Sequence, residues 1–453
     1  MREPGFSLGD AGRALGSPPS APQDPAASTG ARTAGWDLLL VCVATYIATA
    51  VGRVHELFPV LLPLRPALVA AVLAIGLYLL QQSGPRRIGL LRSRTTTCLL
   101  GLLLWGALSV PGALNRGVAF HAWTDLARAI VMCLVLAGSA RRARDVQRLA
   151  LVYFGVTVLY TAVVLSRFEL GPDTWRLNRL YYYDGNDLAT LIVSAMPLGL
   201  YFVLGQRRPL VRLLAAVGLA VLAVGLIRSG SRGGFLAFLA VVAFVLLGFT
   251  TIPARARLAG LVVILAIAFG AASDQYWVQM QTIVSPTKDY NLTSDAGRVQ
   301  IWKRGLGYMA EHPVLGVGVR NFQVAEGTIS PLAKRQERGI GVRWGAAHNT
   351  FIQVGAELGV PGLLFFIGLI ASAFTALRRV AHHALGADPS VIDVSRLAQS
   401  LMAALIGFVV GSIFLSLAHT DMLYTLAALA VALRKVTRAD DALGRPLPRR
   451  AGL

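Results

Sequence analysis

The side chains best suited to chemistry fall in three short stretches of the chain. Residues 228–232 read Arg-Ser-Gly-Ser-Arg between two apolar runs, residues 297–304 read Gly-Arg-Val-Gln-Ile-Trp-Lys-Arg, and the third stretch begins with His348-Asn349. Arginine carries a permanent charge on a planar fork that matches the geometry of phosphate groups. Histidine can exchange a proton near neutral pH, as a general acid or base must. Together the three stretches predict an anion-binding site with a proton acceptor beside it.

Each stretch also has a purely structural interpretation. Arg228 and Arg232 could be interfacial anchors that reach the membrane surface, although an arginine at such depth usually serves a partner or a ligand. Arg298 and Trp302 are four residues apart and share one face of a helix, which could lie flat on the membrane. A single histidine such as His348 is structural more often than catalytic. Spacing alone therefore leaves both interpretations open.

Residues 274–347 form the one long polar segment inside an otherwise apolar chain. The segment carries basic and aromatic side chains along its length and ends just before His348-Asn349. From it we predict that substrate contacts come from Trp302, Lys303, Arg304 and Arg320, with Arg343 as a further cation. Outside it, the predicted substrate contacts are Arg228, Asn349 and Asp187. Asn349 could instead cap the helix that follows, as could Thr350.

Composition places the chain among polytopic α-helical membrane proteins. Of its 453 residues 55% are hydrophobic and 15% are charged, with a mean hydropathy of +0.60, whereas soluble domains average about 25% charged residues. The net charge of +20 does not indicate nucleic-acid binding, because the cations form short clusters between apolar runs, as in cytoplasmic loops. Cys42, Cys98 and Cys133 lie inside apolar runs and are predicted to pack there. Because Cys-x-x-Cys and His-Glu-x-x-His motifs are lacking, the sequence predicts neither a metal site nor a cofactor.

Twelve apolar runs are candidate transmembrane spans. They lie at residues 36–52, 58–80, 97–114, 120–139, 146–166, 187–205, 209–227, 233–251, 257–273, 361–377, 397–417 and 422–433, and the last is short enough to be re-entrant. Basic clusters recur at every second connection, which predicts that both termini are cytoplasmic. Residues 1–35 are predicted to be a disordered cytoplasmic tail. Residues 36–435 would form the transmembrane domain with an extracytoplasmic loop at 274–347, and residues 436–453 a second cytoplasmic tail.

The third stretch continues into a longer motif. His348-Asn349 is followed, after nine residues, by Gly359-Val-Pro-Gly362. This pattern resembles the signature of the O-antigen ligase family, which shares a domain with the O-antigen polymerases and the protein O-oligosaccharyltransferases. Arg232, followed four residues later by Leu236, is similar to a second feature of that family. Residues 297–302, with residues 312–318 (His-Pro-Val-Leu-Gly-Val-Gly) after them, resemble its large periplasmic loop, so the resemblance covers roughly residues 180–377.

The resemblance implies an all-α, GT-C-like glycosyltransferase in the bacterial inner membrane, with its active site facing the periplasm. The implied reaction transfers a glycan from undecaprenyl pyrophosphate to an acceptor hydroxyl, such as one of lipid A-core, with inversion at the anomeric carbon. Arg232 and Arg298 would stabilise the pyrophosphate, and His348 would accept the proton of the hydroxyl. A metal ion is predicted to be unnecessary. The implied partners are the lipid-linked donor, a glycan, lipid or protein acceptor, and membrane lipids.

Two other functions stay open. Residues 184–189 (Asp-Gly-Asn-Asp-Leu-Ala) resemble a stretch of the family's polymerising branch and favour a polymerase, although Asn186 or Asp187 could instead cap the sixth span. A lipid-glycan flippase needs polar residues deep in several spans, and the predicted spans are nearly free of charge. His419 and Asp421, in the last outward connection, could line the same cavity as the three stretches.

Overall fold

The computed structural model describes residues 35–167, 175–177, 182–205, 208–285, 294, 297–333, 344–383 and 389–442. These residues are almost all helical, and no strand occurs among them. The prediction of an all-α protein is therefore confirmed. The contacts divide the chain after Asp37, and all of the helices belong to the unit that starts at Leu38. The predicted tail at residues 1–35 lies almost wholly outside the described part of the chain, and its disorder stays a prediction.

The apolar runs form helices joined by short connections. The first half of the chain contains α1 (Leu38–Ala50), α2 (Val54–Leu57), α3 (Pro66–Leu80), α4 (Arg94–Ser109), α5 (Arg116–Ser139), α6 (Ala143–Arg167), α7 (Gly185–Gly205) and α8 (Pro209–Ser229). The second half contains α9 (Arg232–Gly248), α10 (Ala254–Ala271), α11 (Asp274–Gln281), α12 (Arg298–Glu311), α13 (Phe322–Thr328), α14 (Thr350–His383), α15 (Pro389–Ser412) and α16 (Asp421–Ala442). A 3₁₀ helix at Pro59–Leu64 precedes α3.

Every predicted apolar run coincides with a helix, but not all of these helices meet the requirements for a span. Eight helices in the described residues are long and apolar enough to cross a membrane. The first of them, Pro59–Leu80, combines the 3₁₀ helix with α3. The runs that fall short are α1, α4, α9 and α16, so the number twelve stays a prediction.

The last helix is longer than its apolar run. α16 covers 22 residues, about 33 Å at 1.5 Å per residue, whereas the predicted span stops at residue 433. Lys435 continues the helix and is buried, where its ammonium group donates to the carbonyl oxygens of Gly138 and Ala140 at 2.8 and 2.7 Å. These carbonyls lie at the end of α5, where a cation is favourable. The predicted boundary between the transmembrane domain and the C-terminal tail, at residues 435 and 436, therefore falls inside a helix.

The centre of the bundle is formed by α7 and α15. α7 packs against α6, α8, α9 and α15, and nearly all of its side chains from Leu188 to Phe202 are buried. α10 lies at the edge, and none of its described side chains is buried. The position of α7 and α15 matters for function because the ends of both helices border the candidate site.

A kink in α14 packs against residues 312–318, the glycine-containing segment that precedes α14 in the chain. Gly359 has a φ of 67°, and a Cβ atom there would collide with the carbonyl oxygens of Pro313 and Val314, so the position requires glycine. The Val317 N–H donates to the Ala356 carbonyl at 2.9 Å. Main-chain contacts thus join the predicted periplasmic loop motif to the helix that begins after His348.

Candidate active site

The hairpin between α8 and α9 is fixed by its glycine and serine residues. Gly230 adopts a φ of 59° and donates its N–H to the Ile227 carbonyl at 3.0 Å, which ends α8. The Ser231 hydroxyl accepts the Gly234 N–H at 3.0 Å and caps α9. Arg232 is therefore the first residue of a helix, half-buried, and its guanidinium donates to the Thr282 hydroxyl at 2.8 Å. An anion is favoured at this position by both the side chain and the helix N-terminus.

The segment 175–177 and the start of α7 lie against this hairpin. The Leu177 N–H donates to the Arg228 carbonyl at 2.8 Å. A Cβ atom on Gly185 would lie 3.1 Å from the carbonyl oxygens of both Leu177 and Ser229. The predicted site residue Arg228 thus takes part in a main-chain junction, and its half-buried side chain belongs to the last turn of α8.

Asp184 caps α7. The two residues predicted to cap it, Asn186 and Asp187, do not. The Asp184 carboxylate accepts the N–H groups of Asn186 and Asp187, both at 2.8 Å. The prediction that Asn186 or Asp187 caps the sixth span is therefore wrong, because the helix already begins at Gly185. Asp187 lies in its first turn, close to the hairpin, and its predicted contact with substrate stays a prediction.

His348 occupies a strained position directly before α14. Its φ is 49°, a left-handed conformation that costs a non-glycine residue roughly 1–3 kcal/mol and is concentrated at functional sites. Its N–H donates to the Ser416 hydroxyl at 2.9 Å. Asn349 follows as the cap, and its side-chain oxygen accepts the N–H groups of Phe351 and Ile352 at 2.9 and 3.1 Å. The oxygen of Asn349 is thus engaged in capping, as the sequence allowed.

The connection between α15 and α16 holds His348 in place. The Thr350 hydroxyl donates to the Leu415 carbonyl at 2.8 Å and accepts the Leu417 N–H at 2.9 Å. On its other side the connection contacts the start of α9, where a Cβ atom on Gly233 would lie 3.1 Å from that of Phe414. Only Leu415 separates Phe414 from Ser416, a span of at most about 7 Å. Arg232 and His348 therefore flank the same short piece of chain.

The second predicted stretch, residues 297–304, reaches the same place through a tryptophan. The indole N–H of Trp302, on α12, donates to the carbonyl of Ala347 at 3.1 Å. Arg298 begins α12 and lies one turn before Trp302 on the same face of the helix. Ile301, on the same helix, belongs to a small core that also contains Ala347. The three stretches, distant in sequence, are thus brought together around the start of α14.

A comparison with known families identifies this region. Residues 216–367 match the sequence model described as O-antigen ligase. The match runs from α8 into the second half of α14 and includes Arg232, Arg298 and His348. Residues 216–367, about a third of the chain, are therefore similar to an O-antigen ligase domain. No curated protein matches the chain. The resemblance drawn from the motifs is confirmed for this segment, and the eight long apolar helices indicate a multi-pass membrane protein.

Within the matched segment, Arg304 is held by an ion pair. Its guanidinium contacts the Glu326 carboxylate through two nitrogens, at 2.6 to 3.1 Å, and that carboxylate is 2% exposed. The Tyr308 hydroxyl donates to the same carboxylate at 2.8 Å. Burial and this hydrogen bond raise the pKa of Tyr308, so it stays a neutral donor. The pair favours a structural role for Arg304 over the predicted contact with substrate.

Lys303 and Arg320, the other two predicted cationic contacts that have described positions in this segment, are exposed. Lys303 projects from α12 into solvent. Arg320 has a φ of 56° and lies 3.7 Å from Asp125 of α5, both side chains being about half exposed or more. Arg343 lies outside the described residues. The geometry therefore separates Lys303 and Arg320, which are accessible, from Arg304, which is enclosed.

A polar face on α5 was missed by the sequence interpretation. His121 and Arg128 are exposed and Asp125 is half-exposed, although all three fall in the predicted span 120–139. Their spacing of four and three residues places them on one face, and Arg128 lies 3.5 Å from Asp125. Charged residues inside a span usually face a water-filled cavity. This spacing was the signal in the sequence, and it contradicts the description of the spans as nearly free of charge.

The two residues predicted to line the same cavity have protein partners. His419 lies 2.9 Å from the buried carboxylate of Glu357, which also accepts a hydrogen bond from Gln353 at 3.2 Å. Asp421 accepts the Tyr46 hydroxyl at 2.8 Å and interacts electrostatically with Arg128 of the α5 face. His419 thus ties the α15–α16 connection to α14, and Asp421 borders the polar face of α5.

Metal ligands were not predicted, and the described geometry offers no obvious set. Among the residues with described positions, no three His, Cys, Asp or Glu side chains come together as a possible metal site. Metal independence stays a prediction and needs a direct measurement.

Proposed function

We propose that the protein is a glycan ligase. It would transfer an oligosaccharide or polysaccharide from undecaprenyl pyrophosphate to an acceptor hydroxyl, such as one of lipid A-core, at the outer face of the inner membrane. The observation that carries this proposal is that Gly233, the neighbour of Arg232, and the main chain of His348 both contact residues 414–416. A permanent cation and a proton acceptor at one place are the two groups that the reaction requires.

Arg232 and Arg298 are proposed to stabilise the leaving group. As the bond between the anomeric carbon and the phosphate oxygen breaks, its electron pair goes to the pyrophosphate. Both residues are the first of their helices, so the helix N-terminus adds to the charge of the side chain. A fixed donor in such a role contributes about 2.7–4 kcal/mol.

His348 is proposed to act as the general base. The acceptor hydroxyl attacks the anomeric carbon from the face opposite the pyrophosphate, which inverts the configuration, and its proton passes to the imidazole. General-base catalysis contributes roughly 10²- to 10⁴-fold. The strained backbone of His348, held by Ser416, supports an orientation set by the fold.

An apolar cavity beside α9 is proposed to hold the polyprenyl chain. It measures about 280 Å³ and lies between α7, α8, α9 and α10, where Phe238 and Val242 form part of its wall. Phe238 is six residues after Arg232, about 9 Å along the helix. A donor headgroup at Arg232 could therefore extend its hydrocarbon tail into this cavity.

The polar face of α5 is proposed to bind the acceptor. Asp125, Arg128 and Arg320, whose side chains are about half exposed or more, offer paired charges for sugar hydroxyls, and Asp421 adjoins them. The face reaches the His348 region through the α15–α16 connection, which carries Ser416 and leads directly to Asp421, the first residue of α16.

A polymerase of the same family is the alternative. The stretch at residues 184–189 favours it, but Asp184 has a structural role as the cap of α7, and Gly185 is required by a close approach of two carbonyls. That stretch also precedes the matched segment. A flippase has less support, because the groups that converge here suit bond cleavage.

Loss of the gene separates these functions. If the protein is a ligase, a deletion strain accumulates long lipid-linked polymer and lacks the capped acceptor. If it is a polymerase, the strain accumulates single repeat units on the lipid. Lipid-linked glycan trapped on the cytoplasmic face would overturn both and indicate a flippase. Mass spectrometry of the extracted polyprenyl-linked glycans, before and after complementation, provides the readout.

A further inference from the structure

A second polar cavity lies at the other end of the bundle. It measures about 660 Å³ and is bordered by the N-terminal end of α4, the C-terminal half of α14 and the end of α16. The opposite end of α4 carries Trp105, whose indole donates to the Val314 and Leu358 carbonyls near the candidate active site. Eleven residues, about 16 Å of helix, separate Trp105 from Arg94 at the cavity. The two sites are therefore distinct.

The charge of this cavity is uniformly positive. Its arginines come from three elements: Arg92 and Arg94 at the start of α4, Arg379 in α14, and Arg434 and Arg438 in α16. None of its described lining residues is acidic. Basic residues on one side of a membrane protein are common, but here they gather from three separate elements around one space. Like charges held so close favour an anion between them.

The N-terminus of α4 adds to this preference. Ser93 caps the helix by accepting the Thr96 N–H at 3.1 Å, and Thr95 and Thr97 of the first turn line the cavity. A helix of 16 residues presents a partial positive charge at this end. Arginine forks and a helix N-terminus together match the oxygens of a phosphate group.

The deeper wall of the cavity is built from small residues. Cys98 on α4 faces Gly368, Ala371 and Ser372 on α14, and a Cβ atom on Gly368 would come within 2.9 Å of the Cys98 sulfur. The wall forms a groove between two membrane helices, directly below the arginines. A free phosphate needs no contact with this wall, whereas the acyl chain of a lipid would lie along it.

We propose that this cavity binds an anionic phospholipid, with its phosphate among the arginines and an acyl chain along the groove between α4 and α14. Basic pockets between membrane helices recognise anionic headgroups in this way. The assignment is independent of the glycan-transfer reaction.

Lipid binding by the purified full-length protein tests the proposal. The protein is placed in nanodiscs of phosphatidylcholine, and the exchange of fluorescent phosphatidylglycerol or cardiolipin is measured. We expect the double variant Arg94→Gln/Arg438→Gln to weaken this association at least ten-fold. Arg255→Gln, which removes an exposed arginine outside the cavity, serves as the matched control and should leave it unchanged. Equal affinity of the double variant and the wild type would overturn the proposal.

A second variant distinguishes a lipid from a soluble phosphate. Ala371→Leu fills the groove without changing the charge, and it should weaken phospholipid binding several-fold. Inorganic pyrophosphate should compete weakly in the wild type and equally weakly in Ala371→Leu. Strong competition by pyrophosphate, together with no effect of Ala371→Leu, would overturn the lipid assignment in favour of a soluble anion.

Discussion

Arg304 and Arg232 show how two arginines of the same domain come to have different roles. Arg304 lies inside α12, and its charge is matched by the buried carboxylate of Glu326 at 2.6 Å. Arg232 is the first residue of α9 and donates to the hydroxyl of Thr282, and its neighbour Gly233 contacts the α15–α16 connection that binds the His348 main chain. A charge matched within the fold stabilises the fold, whereas a charge at a helix N-terminus beside a histidine is suited to a ligand.

Removal of the site arginines should have the largest effect. Arg232→Ala and Arg298→Ala are each expected to lower turnover by roughly 10²- to 10³-fold, because each removes a fixed donor for the pyrophosphate. The melting temperature of both variants should stay close to that of the wild type. Turnover is measured with the purified protein and a polyprenyl-pyrophosphate donor, and the exposed Arg255→Ala is the control. A loss of stability matching the loss of turnover would break the distinction from Arg304.

The opposite result is expected for the Arg304 cluster. Glu326→Gln removes the partner of a half-enclosed arginine and should destabilise the protein by about 3–5 kcal/mol. Turnover per folded molecule should fall far less than in Arg232→Ala. Chemical unfolding measures the stability, and the paired change Glu326→Gln/Arg304→Met, which removes both charges, should recover much of it. If Glu326→Gln keeps its stability and loses turnover, the cluster belongs to the active site.

The apolar cavity gives a prediction that concerns only the donor. Ala220→Phe, in the wall of the cavity, should raise the KM for a donor with a full-length polyprenyl chain several-fold. The KM for a donor with a short chain should be unchanged, since such a tail does not reach the wall. Equal effects on both donors would show that the substitution acts through the fold instead.

The smallest effects are expected for the exposed lysine and for metal removal. Lys303→Ala should change turnover by no more than about two-fold, since exposed substitutions shift free energies by about 0.5 kcal/mol. Dialysis against EDTA should leave the wild-type rate unchanged. A large loss with Lys303→Ala would place it among the ligands of the pyrophosphate, and restoration by a divalent ion after EDTA would contradict metal independence.

The helices and the motif residues could be predicted because their signals are local. Apolar runs locate helices, and the spacing of His348 from Gly359 is read directly from the chain. The role of Arg304 could not be predicted, because Glu326 is 22 residues away in sequence and pairs with it only in the folded loop.

Two other features needed the tertiary structure for different reasons. The polar face of α5 is visible as a spacing in the sequence, but two charges in a long apolar run do not reveal whether water reaches them. The basic cavity combines arginines from residues 92–94, 379 and 434–438, which were predicted to share one side of the membrane. Their meeting in one cavity depends on the packing of α4, α14 and α16.

The most direct test of the central claim is the turnover of His348→Ala. With the purified, folded variant and a polyprenyl-pyrophosphate donor, we expect transfer to fall by roughly 10²- to 10⁴-fold while donor binding and the melting temperature are retained. The wild-type rate should decline on the acid side of neutrality, where imidazole becomes protonated, and this decline should be absent in the variant. Near-normal turnover of folded His348→Ala would contradict the assignment of the base.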